Sequence, residues 1–358
     1  MMQDIETRKE DLIRSGLVGS LIKGLRDEED TIKAECARLL GVLGEVVDSY
    51  PEVFRSAIRP LSMVLSSNDA KLVLRVINTL QVLARERKLH STFLGQGVVR
   101  YLNNLIRLDP SQVNEKVLVD GARLYVALAC DDNIRNEILN QDLLEPMLGL
   151  FFVDDHMVRV AWFDLMKEIC AYPDVRTRLE HTDRAFEIIR RAIDLTTVEY
   201  AGQMVALIRI LVISEGIIDQ LMKYSDRLWN FFLLVKDVAD EMAMVFILQS
   251  FGLISKSDSG LAKMKKNREI LAMIIMSLLH PSKTVQNEAA FQIRAFLDLE
   301  ELSPALMDLP IYQYITQYYK QCDAYGKALA VELMKRVQPN EKKGWNKFNN
   351  ISEAGRSV

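Results

Sequence analysis

The residue types that do chemistry are few in this chain, and they stand apart. Its 358 residues include four histidines, His90, His156, His181 and His280, and four cysteines, Cys36, Cys130, Cys170 and Cys322. No two cysteines form a C-x-x-C pair, and none lies beside a histidine at the spacing of a zinc ligand set. The run Asp154-Asp155-His156 has the residue types of a metal site or an acid–base pair. Two aspartates ahead of a helix also cap its free N–H groups, and the helix expected from Val158 gives them that role. The glycines of GLVGSLIKG fit neither G-x-G-x-x-G nor G-x-x-x-x-G-K-[ST], and no strand precedes them, so no phosphate loop is expected. The residues predict no catalytic group, no cofactor and no metal. Each cysteine lies in or beside an apolar run and is expected as a buried, reduced thiol.

Composition narrows the class. A hydrophobic content of 49% predicts an ordered chain with a large core. The net charge of −4 argues against general nucleic-acid binding, which shows as a strongly basic domain. Sixteen glycines and nine prolines are too few for the turns of an all-β chain. The start, MMQDIETRKE, lacks the apolar centre of a signal peptide. Apolar runs such as Leu271–Met276 are too short to span a bilayer. The expected location is therefore the cytoplasm, with the nucleus as the other compartment open to it.

The elements that carry these residues repeat. Leu17, Val18, Leu21, Ile22 and Leu25 share one face of a helix. A polar break at Arg26–Asp30 follows, where Asp30 or Thr31 is expected to cap a second helix bearing Ile32, Cys36, Leu39, Leu40 and Leu43. Small Ala34 and Ala37 allow close helix approach. The same signal restarts near Leu17, Ile58, Val98, Leu143, Phe186, Leu228, Ile270 and Ile311, at separations of 40 to 45 residues. The longer partner helices are expected over 70–84, 114–130, 158–171, 198–214, 239–255, 284–299 and 324–337. A period near 42 lies in the range of armadillo and HEAT units. It predicts an all-α, right-handed α-solenoid of about eight units over 1–338, each packing on its neighbours, with a flexible polar tail over 339–358.

The stretch DLIRSGLVGSLIKGL resembles the join between successive armadillo repeats, where one helix ends, a glycine turns the chain and an apolar helix begins. That glycine is Gly16. TFLGQGVVRYLNNLI repeats the join with Gly97, and EILNQDLLEPMLGLF repeats it with Asp142 in the glycine's place. Pro60 and Pro146 stand where armadillo repeats often carry a proline. The units starting near Phe186 and Leu228 depart from the pattern, which leaves HEAT-like pairs open in the middle. The resemblance implies a non-enzymatic protein-interaction scaffold or adaptor that takes a partner's extended peptide or helix along a concave groove of second helices. It also implies two alternatives, an Hsp70-type co-chaperone with nucleotide-exchange activity and a structural subunit of a cytoskeletal or ciliary assembly.

The importin-α-like ladder of Trp with Asn four residues on is absent, because Trp162 is followed at that spacing by Met166. A β-catenin-like basic groove is only partly matched, by Arg38, Arg75, Arg209 and Arg294 among acidic residues. The side chains expected to touch a partner are Arg38, Asn78, Trp162, Glu168, Gln249, Arg294 and Asp298, with Tyr314 and Tyr318 in the aromatic last unit. No small-molecule substrate is expected. Two basic stretches, 256–269 and the tail around Trp345, have the charge to meet an acidic protein, lipid headgroups or phosphates. The favoured reading is lysines at helix ends and in solvated loops.

Overall fold

The computed structural model describes residues 2–108, 113–142, 144–195 and 197–337, so the tail expected over 339–358 and the Leu143 start lie outside the described residues. Three-helix units follow one another along the chain. The first is α1 (Met2–Arg14), α2 (Leu17–Gly24) and α3 (Asp30–Gly44), and the second is α4 (Pro51–Arg55), α5 (Ile58–Val64) and α6 (Ala70–Ala84). Next come α7 (His90–Gly95), α8 (Val98–Arg107) and α9 (Glu115–Ala129), then α10 (Asp132–Asn140), α11 (Leu144–Gly149) and α12 (His156–Cys170). The fifth unit is α13 (Pro173–Glu180), α14 (Asp183–Leu195) and α15 (Ala201–Leu211), and the sixth is α16 (Glu215–Met222), α17 (Ser225–Val235) and α18 (Glu241–Ile254). Then follow α19 (Asp258–Met264), α20 (Arg268–Met276) and α21 (Lys283–Leu297), and finally α22 (Ser303–Met307), α23 (Ile311–Gln321) and α24 over residues 324–337.

The middle units left open as HEAT-like pairs each hold three helices rather than two, α13–α15 and α16–α18. The fold is an all-α solenoid, with no strand among the described residues. By packing, the chain divides into two compact bodies, Met1–Ile188 and Ile189–Val358. In the first body the third helices pack in series, α3 on α6, α6 on α9 and α9 on α12. In the second body α15 packs on α18 and α18 on α21.

The third helices are buried on both flanks. On α6, Leu72, Val76, Ile77, Leu80 and Leu83 are completely covered. Small residues set the spacing between these helices. A Cβ on Gly41 of α3 would stand 3.0 Å from the Thr79 hydroxyl of α6. That hydroxyl lies 2.6 Å from the Ala37 carbonyl oxygen on α3 and 2.9 Å from the Arg75 carbonyl oxygen on its own helix.

The joins behave as the resemblance implies. Among the described residues, Gly16 and Gly97 are the glycines with positive φ, at 83° and 68°, and Asp142 at 51° is the non-glycine residue that shares the conformation. Aspartate tolerates this region better than most side chains, and Arg178 on α13 pairs with its carboxylate at 2.7 Å. Two expected caps differ. Glu29, not Asp30 or Thr31, is the N-cap of α3, and Asp30 is already helical. The carboxylate one turn earlier, on Asp27, instead accepts the Glu29 backbone N–H at 2.9 Å. At α12, Asp155 alone caps, taking the Val158 N–H at 2.7 Å, while Asp154 pairs with Arg159 in solvent.

First helices also lock the ends of the preceding third helices. His90 Nε2 lies 2.8 Å from the Ala84 carbonyl oxygen, Arg135 donates to that of Ala129 at 2.9 Å, and Arg176 to that of Cys170 at 2.7 Å. Each donor stands six residues beyond its acceptor and is buried. A donor or cation there satisfies carbonyls that the helix leaves free. Arg135 also binds Asp174 at 2.8 Å and Asp132 at 2.7 Å, and its guanidinium lies 3.9 Å over the Tyr172 ring. Arg135→Ala is expected to lower the unfolding free energy by about 2 to 3 kcal/mol, because it strands these acceptors and opens a gap. Urea titration followed by circular dichroism would read this as an earlier midpoint, and an unmoved midpoint would contradict the locking role.

Candidate functional site

The exposed faces of the third helices are the surfaces on which most of the expected partner-binding residues fall, and the two bodies differ in how those faces are built. In the first body the charges pair within one helix. Arg38 forks onto Glu35 of α3, and this hydrogen bond holds the Glu35 carboxyl below its ordinary range, with smaller contributions from Arg75 and Lys71 on α6. Asn78 on α6 and Glu168 on α12 are exposed. Trp162 is not on the face. It is 1% exposed and packs against Tyr125 with ring centroids 6.3 Å apart, and its indole N–H has no partner among the described residues. Trp162 is therefore a core residue of the first body, which removes it from the partner-contacting set.

In the second body the polar groups bridge from helix to helix. Arg209 Nε on α15 donates to Gln249 Oε1 on α18 at 2.9 Å, and Gln249 Nε2 faces Glu288 on α21 at 3.5 Å. Gln292 Nε2 holds the other Glu288 oxygen at 2.7 Å. A second row joins α21 to α24. Arg294 pairs with Glu332 at 3.3 Å, Arg336 with the same carboxylate at 2.9 Å, and Arg336 also with Asp298. Partly exposed pairs of this kind contribute about 0 to 1 kcal/mol each. Their larger effect is to fix which side chain faces which across neighbouring helices. Phe291 stands three residues from both Glu288 and Arg294, on their side of α21, and is 49% exposed. Met242, two turns from Gln249 on α18, is 55% exposed.

The aromatic last unit divides. Tyr318 is fully buried and its hydroxyl donates to Asn287 Oδ1 at 2.7 Å, so burial pushes its phenol well up and takes it out of the surface. Tyr314 is half-buried, and Tyr319 and Tyr325 are exposed. In the stretch 256–269, Ser257 caps α19, Lys265 pairs with Glu301 at 2.8 Å and Arg268 reaches the Asp308 carbonyl oxygen at 3.4 Å. Lys256, Lys263 and Lys266 are exposed, with no ion pair among the described residues.

The residues that first suggested chemistry stay apart. His280 Nδ1 accepts the Ser282 N–H at 3.1 Å, and His181 ends α13 in solvent. Among the described residues no three His, Cys, Asp or Glu side chains gather to hold a metal. No described helix is long and apolar enough to cross a membrane. The expectation of four buried thiols holds for Cys170 and Cys322, but Cys130 is exposed at the end of α9 and Cys36 is partly so. An apolar sequence neighbourhood does not say which way one residue of a helix faces. Sequence reasoning also missed Glu288, Glu332 and Arg336. Their signal was available as complementary polar residues 38 or 39 positions apart, close to one unit's length.

No protein-family model matches the chain, and no curated protein matches it. Solved structures do. A crystal structure of an engineered protein is similar at a TM-score of 0.70 and 16% identity, over 89% of this chain and 78% of that one. A second engineered protein is similar at 0.51 and 17% identity, over 77% of this chain and 97% of that one. A designed armadillo repeat protein is found at 0.49 and 14% identity, over 77% and 98%. At such identities the likeness speaks to the fold alone.

The thiols offer a direct check on the packing. Burial pushes the Cys170 thiol up to about 12, so little thiolate forms near neutrality. Under mildly alkaline iodoacetamide, peptide mapping is expected to find Cys130 alkylated in the folded protein and Cys170 only after unfolding. Equal rates would contradict the burial of α12.

Proposed function

We propose that the protein is a non-enzymatic interaction scaffold that takes a partner's extended segment or helix along the third helices of the second body. One observation carries the reading, two polar rows on the second body's third helices, Arg209–Gln249–Glu288 and Arg294–Glu332, with exposed Phe291 between Glu288 and Arg294 on α21. A row of amide and charged groups at one-helix spacing can meet the polar groups of a bound chain in series, and Phe291 supplies an apolar anchor. The charges are already paired, so a partner exchanges one set of hydrogen bonds for another. That favours selectivity over strong non-specific attraction. The Hsp70-type and structural-subunit alternatives find no feature of their own among the described residues. The first keeps a simple check in nucleotide release from a purified chaperone.

The test is affinity capture from the native source with the intact chain and with a variant carrying Phe291→Ala, Arg209→Glu and Arg294→Glu. Capture of the partner is expected to fall about tenfold or more, the scale of losing one hot-spot side chain and its neighbours. Helicity and melting are expected to stay close to those of the parent. Undiminished capture would overturn the proposal for this face.

A further inference from the structure

A second surface lies in the first body, lined by the end of α2 and the turn after it, by α5 and the turn after it, and by the starts of α3 and α6. It is a cleft of about 800 Å³. Its floor is apolar, with Leu25 3% exposed, Pro60 buried and Leu72 fully buried. Its lip is Met63, 57% exposed at the end of α5. Three cations line it, Arg26, Lys33 and Arg59.

The charges in this cleft are unevenly met. Lys33 is held by Asp30 at 2.8 Å. Asp27, the acidic residue of the lining, turns its carboxylate into its own turn to accept the Glu29 N–H. Arg26 and Arg59 are exposed, and among the described residues neither has an acidic partner within ion-pair distance. The corresponding place in the second body makes the contrast. There a cleft of about 520 Å³ is lined by Val198, Phe231, Leu234 and Val238, and its arginine, Arg227, is already tied to Asp194. In the first body the lining holds three cations against the one carboxylate of Asp27, and Arg26 and Arg59 stand over apolar ground with no ion pair among the described residues.

We propose that this cleft binds a short acidic peptide segment, its carboxylates on Arg26 and Arg59 and a large apolar side chain between Pro60 and Met63. The size suits a ligand of a few residues. Guanidinium groups match carboxylates in bidentate fashion, and the flexible thioether of Met63 can close over varied apolar side chains. This site is separate from the third-helix face, so the two readings stand or fall independently.

The experiment uses the full chain and a pool of heptapeptides, each carrying two Asp or Glu and two Leu, Met or Phe, against a matched pool with Asn and Gln in place of the acids. Affinity selection read by mass spectrometry is expected to enrich the acidic pool. The best binder, labelled for fluorescence anisotropy, is expected to lose about tenfold or more in affinity to the Arg26→Glu, Arg59→Glu variant. It is expected to weaken as salt rises, and to bind the Phe291→Ala, Arg294→Glu variant as it binds the parent. Both arginines are exposed and have no ion pair among the described residues, so circular dichroism is expected to report an unchanged fold. Equal retention of the two pools, or a binder indifferent to Arg26 and Arg59, would overturn the proposal.

Discussion

The structure depends on one constraint, that its helices are too short to stand alone. They run from five residues in α4 and α22 to fifteen in α3, α6, α9, α12 and α21. Isolated helices of about 12 to 15 residues or fewer are marginal in water, because one nucleation cost is spread over few hydrogen bonds. Each helix must therefore borrow stability from an apolar neighbour, and the third helix of a unit does so on two sides. Ala37, Leu40, Val76, Ile77 and Leu80 have essentially no exposed surface because α3, α6 and α9 cover one another. Stability of this kind is a sum of unit and neighbour terms rather than the property of one core.

Stacking by a fixed repeat also decides which side chains meet. Residues about 40 positions apart become lateral neighbours, so Thr79 reaches Ala37, Arg209 reaches Gln249, and Arg336 reaches Asp298. In the second body a polar residue on the exposed face of a third helix thus meets a counterpart from the next unit. The second body uses this to neutralise its face, and Phe291 remains the exposed apolar group among the paired charges. The unit edges pair in places, as Asp142 does with Arg178 and Lys265 with Glu301. Arg26, after α2, and Arg59, on α5, have no ion pair among the described residues, whereas Arg294 and Arg336 do.

What the sequence made legible follows from the same physics. The period, the helical class and the joins were readable, because burial on two flanks imposes apolar spacing and the joins demand positive φ. Asp142 was placed in a glycine's position by the resemblance of its stretch to the joins at Gly16 and Gly97. Side-chain direction within a largely apolar helix was harder to read. Trp162 and Tyr318 looked like contact residues by type yet lie in the core, and Cys130 looked buried yet is exposed. Caps failed where two acidic residues competed, as at Glu29 and Asp30, since which one adopts the extended conformation depends on the turn before it. The inter-unit ladder was invisible one helix at a time, because neither partner of a pair is remarkable without the other's register.

The central claim is that stability passes from unit to neighbouring unit, and native-state hydrogen exchange on Leu80→Ala tests it most directly. Leu80 is fully buried on α6. The account predicts faster exchange in α6 and in α3 and α9, which pack against it, with α18 and α21 left at parental protection. Loss of protection spread evenly over every helix would contradict it, and so would loss confined to α6.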